Sequence, residues 1–316
     1  MAAPRKAVVV GVSGCSSSGK TTLARLLRDI FPNSFVLHED DFYRAETEES
    51  LSLPLLIAWK CLHALRNGKR CLAEEPSTRD PYMLYDLFLF LKPYGAFTFL
   101  MPLRLPTKNG LLDWDCVEAL SIPDMVKSLE HIHSEGTFPP TLDSKEDQNS
   151  VGKCPVSDTT IVSLKARVKT WTEPGNPGHG ILTSSQTAVR LCVFDGFLLY
   201  SKALAPIQPQ MDIKLFLRVS YAKAKARREA RSGYVTLEGF WEDPPGYVDK
   251  IVWPNYVEDH EWMFEGGDVE GKMKDEVVKE TGILSQEGEV DREMETTLVW
   301  AVEMLMEKLP LVAKST

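Results

Sequence analysis

Short apolar runs alternate with amphipathic segments along the chain, and the runs have the length and composition typical of buried strands. They lie at residues 7–12, 33–43, 189–195, 211–219 and 282–284. Apolar residues at helical spacing predict helices at residues 21–28, 117–133, 221–231 and 291–308. Strands that alternate with helices form parallel sheets with right-handed crossovers. The sequence therefore predicts an α/β fold, with a parallel five-stranded sheet flanked by helices, in a single domain spanning 1–316.

Three stretches depart from this pattern. Residues 134–180 are rich in Gly, Pro, Ser and Asp, which predicts a long loop. Residues 233–254 hold prolines and aromatic residues and predict a turn-rich flap, so that 227–254 forms a lid over the site. Residues 45–106 contain long apolar runs with neither strand nor helix periodicity, and charged residues, Pro and Gly within them argue against a membrane span.

A glycine-rich motif connects the first predicted strand to the first predicted helix. Residues 14–21 match G-x-x-x-x-G-K-[ST], a loop whose backbone N–H groups cradle phosphate oxygens at a helix N-terminus. The predicted phosphate-binding residues are Gly14, Cys15, Ser16, Ser17, Ser18, Gly19, Lys20, Thr21 and Thr22. Lys20 would reach the β- and γ-phosphates, and the Thr21 hydroxyl would bind Mg²⁺. A chance glycine-rich turn is the alternative, and the strand before the motif and the helix after it argue against that.

Carboxylates follow two of the predicted strands. Asp40 and Asp41 end the second strand, and Asp195 ends the third. Open α/β sheets bind ligands at the carboxyl ends of their strands, where an acid can hold Mg²⁺ or accept a proton from an attacking hydroxyl. The alternatives are two solvated loop carboxylates and a helix N-cap at Asp195. After a phosphate-binding loop, we interpret Asp40 and Asp195 as metal-facing acids.

The segment 221–231 carries five cations and one acid. Such a run is often a solvated helix face, but here it leads into the flap, where cations could stabilise charge on a transferring phosphoryl group. His131 and His133 do not predict a metal site, because a spacing of two places their rings on different helix faces.

The net charge and the cysteine content limit the classes of molecule that this protein is expected to bind. The net charge of −9 argues against broad nucleic-acid or anionic-membrane binding. The six cysteines form no C-x-x-C pair and no zinc-site spacing, and we expect no secretory signal ahead of the first strand. The sequence therefore predicts a cytoplasmic protein that binds a small molecule, and it leaves the oligomeric state open.

Six blocks, in order, resemble the nicotinamide riboside kinases, within the uridine-kinase-like group of P-loop kinases. They lie at residues 11–24, 38–43, 109–120, 193–200, 227–231 and 244–256. The Leu-Asp-Trp-Asp run at 112–115 and the Pro-Gly-Tyr and Val-Trp-Pro runs at 245–254 are more selective than the glycine-rich loop, which indicates only phosphate binding. The blocks cover roughly half of the chain.

This resemblance implies a P-loop nucleoside-kinase fold with a mobile lid. It also implies ATP and Mg²⁺ as cofactors, and phosphorylation of the 5′-hydroxyl of nicotinamide riboside to the mononucleotide in NAD⁺ salvage. Two alternatives stay open: a uridine or cytidine kinase, and a non-catalytic nucleotide-binding protein. No N-K-x-D guanine motif occurs in the chain, which argues against a GTPase-like switch.

The resemblance also assigns roles to single residues. Asp40 would be the general base and face Mg²⁺, assisted in catalysis by Lys20, and Asp195 stands where the family often has Glu. Trp114 would stack on the base while Asp115 grips the ribose hydroxyls. The remaining substrate contacts are Asp41, Phe42, Tyr43 and Arg228, with Tyr234 as a second aromatic wall, and the remaining ATP contacts are Arg227 and Arg231. One extra residue precedes Tyr234, so its match is less direct.

In the family, a much shorter linker connects the Asp-Asp-Phe-Tyr block to the block at 109–120. The extra residues at 45–106 favour a translated intron or gene-model error, because joining residues 44–48 to residues 105–109 would restore an ordinary linker. A genuine inserted subdomain is the alternative. The insertion separates Asp40 from Asp115, so it bears directly on whether this chain is active.

Overall fold

The computed structural model describes residues 5–44, 105–146, 149, 152–183, 189–231, 233–236 and 239–313. Apart from its last two residues, the predicted insertion at 45–106 lies outside these ranges, and both explanations for it stay predictions. The described residues form nine strands: β1 (Ala7–Gly14), β2 (Ser34–His38), β3 (Thr107–Lys108), β4 (Leu111–Leu112), β5 (Arg190–Gly196), β6 (Ile213–Leu217), β7 (Tyr234–Thr236), β8 (Gly239–Trp241) and β9 (Ile283–Ser285).

Seven α-helices accompany them within the same ranges: α1 (Lys20–Ile30), α2 (Ile122–Glu135), α3 (Asp158–Trp171), α4 (Tyr221–Glu229), α5 (Trp253–His260), α6 (Asp275–Thr281) and α7 (Met294–Ala313). Short 3₁₀ turns lie between several of these elements. The turn Glu39–Phe42 follows β2 directly, and a π-helical stretch, Val248–Val252, runs into α5.

The central sheet has the strand order β2-β5-β1-β6-β9, and every neighbouring pair is parallel. This confirms the predicted parallel five-stranded sheet. The register places Val12 of β1 and His38 of β2 on either side of Asp195, and Gly14 beside Leu217. The carboxyl ends of β1, β2 and β5 therefore meet at one edge, where the phosphate-binding loop and the predicted acids begin.

Both faces of the sheet are covered by helices. β1 is buried at all eight positions, with Val8 and Val10 packed on one face and Ala7 and Val9 on the other. Helices α1, α3 and α7 cover the first face, and α2, α5 and α6 cover the second. This explains why residues 7–12 of β1 contain no polar side chain instead of alternating between apolar and polar residues.

The prediction of one long loop at 134–180 is wrong, because α3 lies within it. The Ser157 hydroxyl accepts a hydrogen bond from the Thr160 N–H and caps the helix. Leu164, Val168 and Trp171 form its buried face, and Trp171 packs edge-on against Phe31, the residue after α1, with ring centroids 6.3 Å apart. Polar and turn-forming residues on both sides concealed this three-residue apolar stripe.

Other boundaries also differ from prediction. Helix α2 begins at Ile122 instead of residue 117, because Pro123 suits a first helical turn and Val117–Ala119 forms a 3₁₀ turn. The predicted flap at 233–254 contains the β7–β8 hairpin but is helical from Val248 onward, where Pro254 lies in the first turn of α5. No helix in the described ranges is long and apolar enough to cross a membrane.

Candidate active site

The phosphate-binding loop has the backbone that its glycines predict. Gly14 has φ 145°, and a Cβ there would lie 2.2 Å from the Leu217 carbonyl oxygen. Gly19 has φ 102° and immediately precedes α1. Only glycine fits both the conformation and the space at Gly14. The tight approach of β1 to β6 thus fixes where the loop turns toward the helix N-terminus.

Polar atoms line the inside of this loop without partners. The hydroxyl oxygens of Ser17 and Ser18 are buried and make no hydrogen bond within the protein. Lys20 is buried, its Nζ donates to the Cys15 carbonyl oxygen at 3.0 Å, and burial lowers its pKa. Burial also raises the pKa of the Cys15 thiol to about 12, so this thiol stays neutral. Buried donors with no acceptor, at a helix N-terminus, fit a phosphate group.

A second group of side chains gathers around Asp195. Its carboxylate accepts a hydrogen bond from the Thr21 hydroxyl at 2.7 Å, and His38 Nδ1 lies 2.5 Å from its other oxygen. Burial would lower the pKa of His38, but the charge of Asp195 outweighs it and raises that pKa to about 9. Burial would raise the pKa of Asp195, and His38 holds it below its ordinary value. The pair is a buried ion pair at the carboxyl edge of the sheet, and sequence reasoning assigned no role to His38.

Asp40 lies in the 3₁₀ turn after β2, with its side chain exposed. Desolvation by its surroundings and the nearby Asp195 raise its pKa, and Lys20 and His38 oppose that shift. The described residues contain no group of three or more His, Cys, Asp or Glu side chains that could hold a metal ion. Thr21, Asp40 and Asp195 instead offer the oxygen ligands that suit Mg²⁺, which binds through one or two carboxylates together with substrate phosphates.

Glu39, next to Asp40, is fully buried. Its carboxylate accepts hydrogen bonds from the backbone N–H groups of Phe197 at 2.6 Å and Leu198 at 3.1 Å. A Cβ on Gly196 would lie 2.6 Å from the same carboxylate, so glycine is required for this approach. Burial raises the pKa of Glu39 to about 8. Glu39 therefore ties the turn that carries Asp40 to the end of β5, and sequence reasoning missed it.

The other residues of the Asp-Asp-Phe-Tyr block face inward. Asp41 is buried, its pKa is raised to about 6 by burial, and Ser144 hydrogen-bonds to its side chain. Phe42 packs edge-on against Phe194 at 6.4 Å in the core. Tyr43 lies beside Trp114, with ring centroids 5.9 Å apart. Substrate contact by Asp41 and Phe42 stays a prediction, and Tyr43 is the member of the block nearest to Trp114.

Arg228 is the centre of a buried ionic network. Its guanidinium makes a bidentate pair with Asp115, at 3.0 and 3.1 Å, and a second pair with Asp243, at 2.6 and 3.1 Å. It also donates to the Ser16 hydroxyl at 2.8 Å. Burial would lower the pKa of Arg228, but these acids hold it well above its usual range. One side chain of α4 therefore connects the predicted ribose-binding Asp115 to the phosphate-binding loop.

The neighbouring cations and Tyr234 lie on the same side. Arg227 donates to the Ser17 carbonyl oxygen at 3.3 Å. The Tyr234 ring lies against two guanidinium groups, 5.3 Å from Arg228 and 5.3 Å from Arg231. The basic run at 221–231 thus turns at least three cations toward the predicted site, instead of presenting only a solvated face.

The segment that carries Trp114 and Asp115 is anchored by residues that sequence reasoning did not single out. The Trp114 N–H donates to the Tyr247 hydroxyl at 3.0 Å. Asn255 donates to both carboxylate oxygens of Asp113 at 2.9 Å and to the Asp115 carbonyl oxygen at 3.0 Å. Asn255 and Tyr247 both lie within the motif at 244–256, so the signal was present, but nothing local connected them to residues 113–115.

A stretch of the predicted loop also reaches this edge. Arg25 of α1 donates to the Glu146 carbonyl oxygen at 2.9 Å. Asn149 donates to the Glu146 carboxylate at 2.6 Å and accepts from the Val235 N–H at 2.7 Å. Glu146 and Asn149 therefore connect the helix after the phosphate-binding loop to strand β7 of the hairpin.

Two cavities flank the network. One, of about 20 Å³, adjoins the phosphate-binding loop, and its lining includes Ser18, Arg227, Gln286 and Thr297. The other, of about 340 Å³, lies beside the hairpin, and its lining includes Arg228, Tyr234, Asp243 and Tyr247. The Arg228 network therefore adjoins space for part of a ligand, whereas the cavity beside the loop is only large enough for about one water molecule.

Comparison with known proteins agrees with this geometry. No protein-family model matches the chain. It is 30% identical over 305 residues to the nicotinamide riboside kinase of Schizosaccharomyces pombe, covering 96% of this chain and 99% of that protein. It is 27% identical over 269 residues to that of Saccharomyces cerevisiae, covering 85% and 84% of the two chains. It is 21% identical over 255 residues to human nicotinamide riboside kinase 1, covering 80% and 76%. The chain belongs to the nicotinamide riboside kinase family.

Proposed function

We propose that this protein transfers the γ-phosphoryl group of ATP to the 5′-hydroxyl of nicotinamide riboside, giving nicotinamide mononucleotide for NAD⁺ salvage. The observation that carries the proposal is Arg228, which joins Asp115 to Ser16 of the phosphate-binding loop. A nucleoside held at Asp115 would then lie beside the phosphates of the donor. The relatives named above support the identity of the nucleoside.

The phosphate donor would occupy the loop at 14–19. The hydroxyls of Ser17 and Ser18, which have no partner in the protein, and the buried Lys20 ammonium would donate hydrogen bonds to its phosphate oxygens. Arg227 and Arg231 would add positive charge from the opposite side. The oxygen atoms of Thr21, Asp40 and Asp195 would hold Mg²⁺, and the bound ion would neutralise negative charge on the phosphates. His38 and Thr21 fix both carboxylate oxygens of Asp195, so that this acid keeps one orientation.

Asp40 would orient the 5′-hydroxyl and accept its proton. Its side chain is exposed at the carboxyl edge of the sheet, where a substrate hydroxyl can reach it. Trp114 would stack on the base, and Asp115 would accept hydrogen bonds from the two ribose hydroxyls, a contact that a deoxyribose could make only in part. Asp41, Phe42 and Tyr43 would contribute to the wall between these groups.

We also retain the cytoplasm as the proposed location. The cysteines Cys15, Cys116, Cys154 and Cys192 are free thiols. Free thiols, two of them buried at Cys15 and Cys192, are typical of a reducing compartment.

The direct test is ADP release by the purified full-length chain with Mg-ATP, measured against nicotinamide riboside, uridine, cytidine and no nucleoside. We expect turnover with nicotinamide riboside above each of the other arms. Asp40→Ala is expected to abolish that turnover while ATP binding, followed by calorimetry, stays near the parent value. Equal turnover with uridine would identify a pyrimidine nucleoside kinase instead. Absence of turnover with every nucleoside would overturn the proposal for this chain.

A further inference from the structure

The β7–β8 hairpin presents two aromatic residues side by side. Tyr234 of β7 pairs directly with Trp241 of β8 in an antiparallel register, so both side chains stand on the same face of the hairpin. Either residue could therefore serve as the aromatic wall opposite Trp114. Their contacts distinguish them.

Trp241 lies against the nucleoside side of the site. Its ring centroid is 6.1 Å from that of Trp114, with the ring planes at 64°, and 5.9 Å from that of Tyr247. Its indole N–H donates to an Asp243 carboxylate oxygen at 2.9 Å. Trp241 is thus in direct contact with the residue predicted to stack on the base.

Tyr234 is engaged elsewhere. Its ring packs against the guanidinium groups of Arg228 and Arg231, and its hydroxyl is buried with no hydrogen-bond partner in the protein. A ring that lies against two cations is a poor neighbour for a third positive charge on a pyridinium base. Packing on the arginines accounts for the position of Tyr234.

We propose that Trp241 is the second aromatic wall of the nucleoside site, opposite Trp114, and that it determines preference for a flat cationic base. This rests on the proposed function. Indole is the aromatic side chain that attracts cations most strongly, and two indole faces would enclose a pyridinium ring but gain less from a neutral pyrimidine.

The geometry also requires a small movement. A flat ring held between two parallel rings needs a centroid separation of about 7 Å, twice the contact distance between carbon atoms. The observed 6.1 Å and 64° fall short of that, so Trp241 must turn and move outward when the base enters. Asp243, which holds the indole N–H, also holds Arg228, and Arg228 holds Asp115. The Asp243 carboxylate therefore links Trp241, through Arg228, to the predicted ribose-binding residue Asp115.

The test compares Trp241→Leu with the matched variant Tyr234→Leu in the full-length protein, with Trp241→Phe as the conservative replacement. We measure KM and kcat for nicotinamide riboside, KM for ATP, and nucleoside binding by calorimetry. Trp241→Leu is expected to raise the KM and the dissociation constant for nicotinamide riboside about tenfold, with kcat and the KM for ATP within about threefold of the parent. Trp241→Phe should restore most of the loss.

The outcomes separate this inference from the proposed function. If Tyr234→Leu weakens nicotinamide riboside binding and Trp241→Leu does not, Tyr234 is the wall and the inference is overturned. If Trp241→Leu weakens ATP binding as much as nicotinamide riboside binding and also lowers thermal stability, and Trp241→Phe restores neither, Trp241 has only a structural role and the inference is overturned. A parent chain that turns over uridine but does not bind nicotinamide riboside overturns the proposed function and this inference together. A parent that binds nicotinamide riboside without turning it over refutes only the proposed activity, and binding by the variants still decides the role of Trp241.

Discussion

Replacing Asn255 by Ala should weaken both the fold and the grip on the nucleoside. The Asn255 amide donates to both oxygens of Asp113 at 2.9 Å and to the Asp115 carbonyl oxygen at 3.0 Å. Asp113 in turn accepts from the Asp115 N–H at 3.1 Å. Asp113 is 3% exposed and Asn255 6% exposed, so water cannot readily replace these hydrogen bonds. The pair therefore holds the backbone on both sides of the predicted ribose-binding residue.

The size of the loss follows from what Ala leaves behind. A hydrogen bond to a charged group contributes about 1.5–3 kcal/mol, and a buried group left without its partner costs about 1–3 kcal/mol. Since one amide nitrogen serves all three acceptors, we expect Asn255→Ala to lower the free energy of unfolding by about 2–4 kcal/mol. At roughly 2–4 °C per kcal/mol, Tm should fall by roughly 4–16 °C.

The assay is urea unfolding of the parent, Asn255→Ala, Asp113→Ala and the double variant. Once either partner is gone, removing the other should cost less, so the coupling free energy should be at least about 1 kcal/mol. Glu258→Ala is the matched control. Lys108 donates to the Asn255 side-chain oxygen at 2.6 Å and also pairs with Glu258, but the Glu258 side chain is 76% exposed, so we expect a change within about 0.5 kcal/mol. Strictly additive losses at residues 113 and 255, or an unchanged KM for nicotinamide riboside in Asn255→Ala, would refute the reasoning.

Three further perturbations test other parts of the structure. Trp171→Ala removes the largest side chain of the buried face of α3 and should lower the free energy of unfolding by about 3–5 kcal/mol in urea titrations; a change below about 1 kcal/mol would place α3 away from the core. His38→Gln leaves Asp195 buried without its cation, so it should destabilise by about 3–5 kcal/mol and raise the Mg²⁺ concentration for half-maximal activity; an unchanged Mg²⁺ dependence would contradict this. Asn149→Ala removes the acceptor of the Val235 N–H in β7, so it should loosen the hairpin and raise the KM for nicotinamide riboside while leaving the KM for ATP unchanged. Asn176→Ala, at an exposed residue, is the control.

The central sheet could be predicted because its signals are local. Each of the longer strands contains a short apolar run, and the glycines of the phosphate-binding loop report a backbone conformation that other residues cannot adopt at Gly14. Helix α3 could not be predicted in the same way, since it buries only one narrow stripe against α1 and α7 and lies between stretches of turn-forming residues. The Gly-, Pro-, Ser- and Asp-rich composition of residues 134–180 predicts a loop, and the three apolar residues of α3 are too few to predict a helix against it.

The site residues likewise fall into those that a local motif predicts and those that are distant in sequence from the residues they contact. Asp40, Asp115 and Asp195 belong to local motifs, and the structure places each of them at the carboxyl edge of the sheet or beside the phosphate-binding loop. The partners that fix them are distant in sequence: Asn255 lies 142 residues from Asp113, and His38 lies 157 residues from Asp195. Such pairs follow from the topology of the sheet and the path of the hairpin, which one sequence does not reveal.

The charges around Arg228 favour a cationic nucleoside. Asp115 and Asp243 each face the same guanidinium through paired hydrogen bonds, with Asp115 buried and Asp243 partly exposed. Two acids against the one guanidinium that contacts them both leave this three-residue network with a net negative charge, which is costly where water is scarce. A pyridinium riboside brings the compensating positive charge, whereas uridine or cytidine brings none. Binding of nicotinamide riboside would therefore reduce the repulsion between the two carboxylates, which uridine or cytidine would leave unchanged. The preference for nicotinamide riboside over these pyrimidine nucleosides should therefore increase at low salt, where the negative charge is screened least.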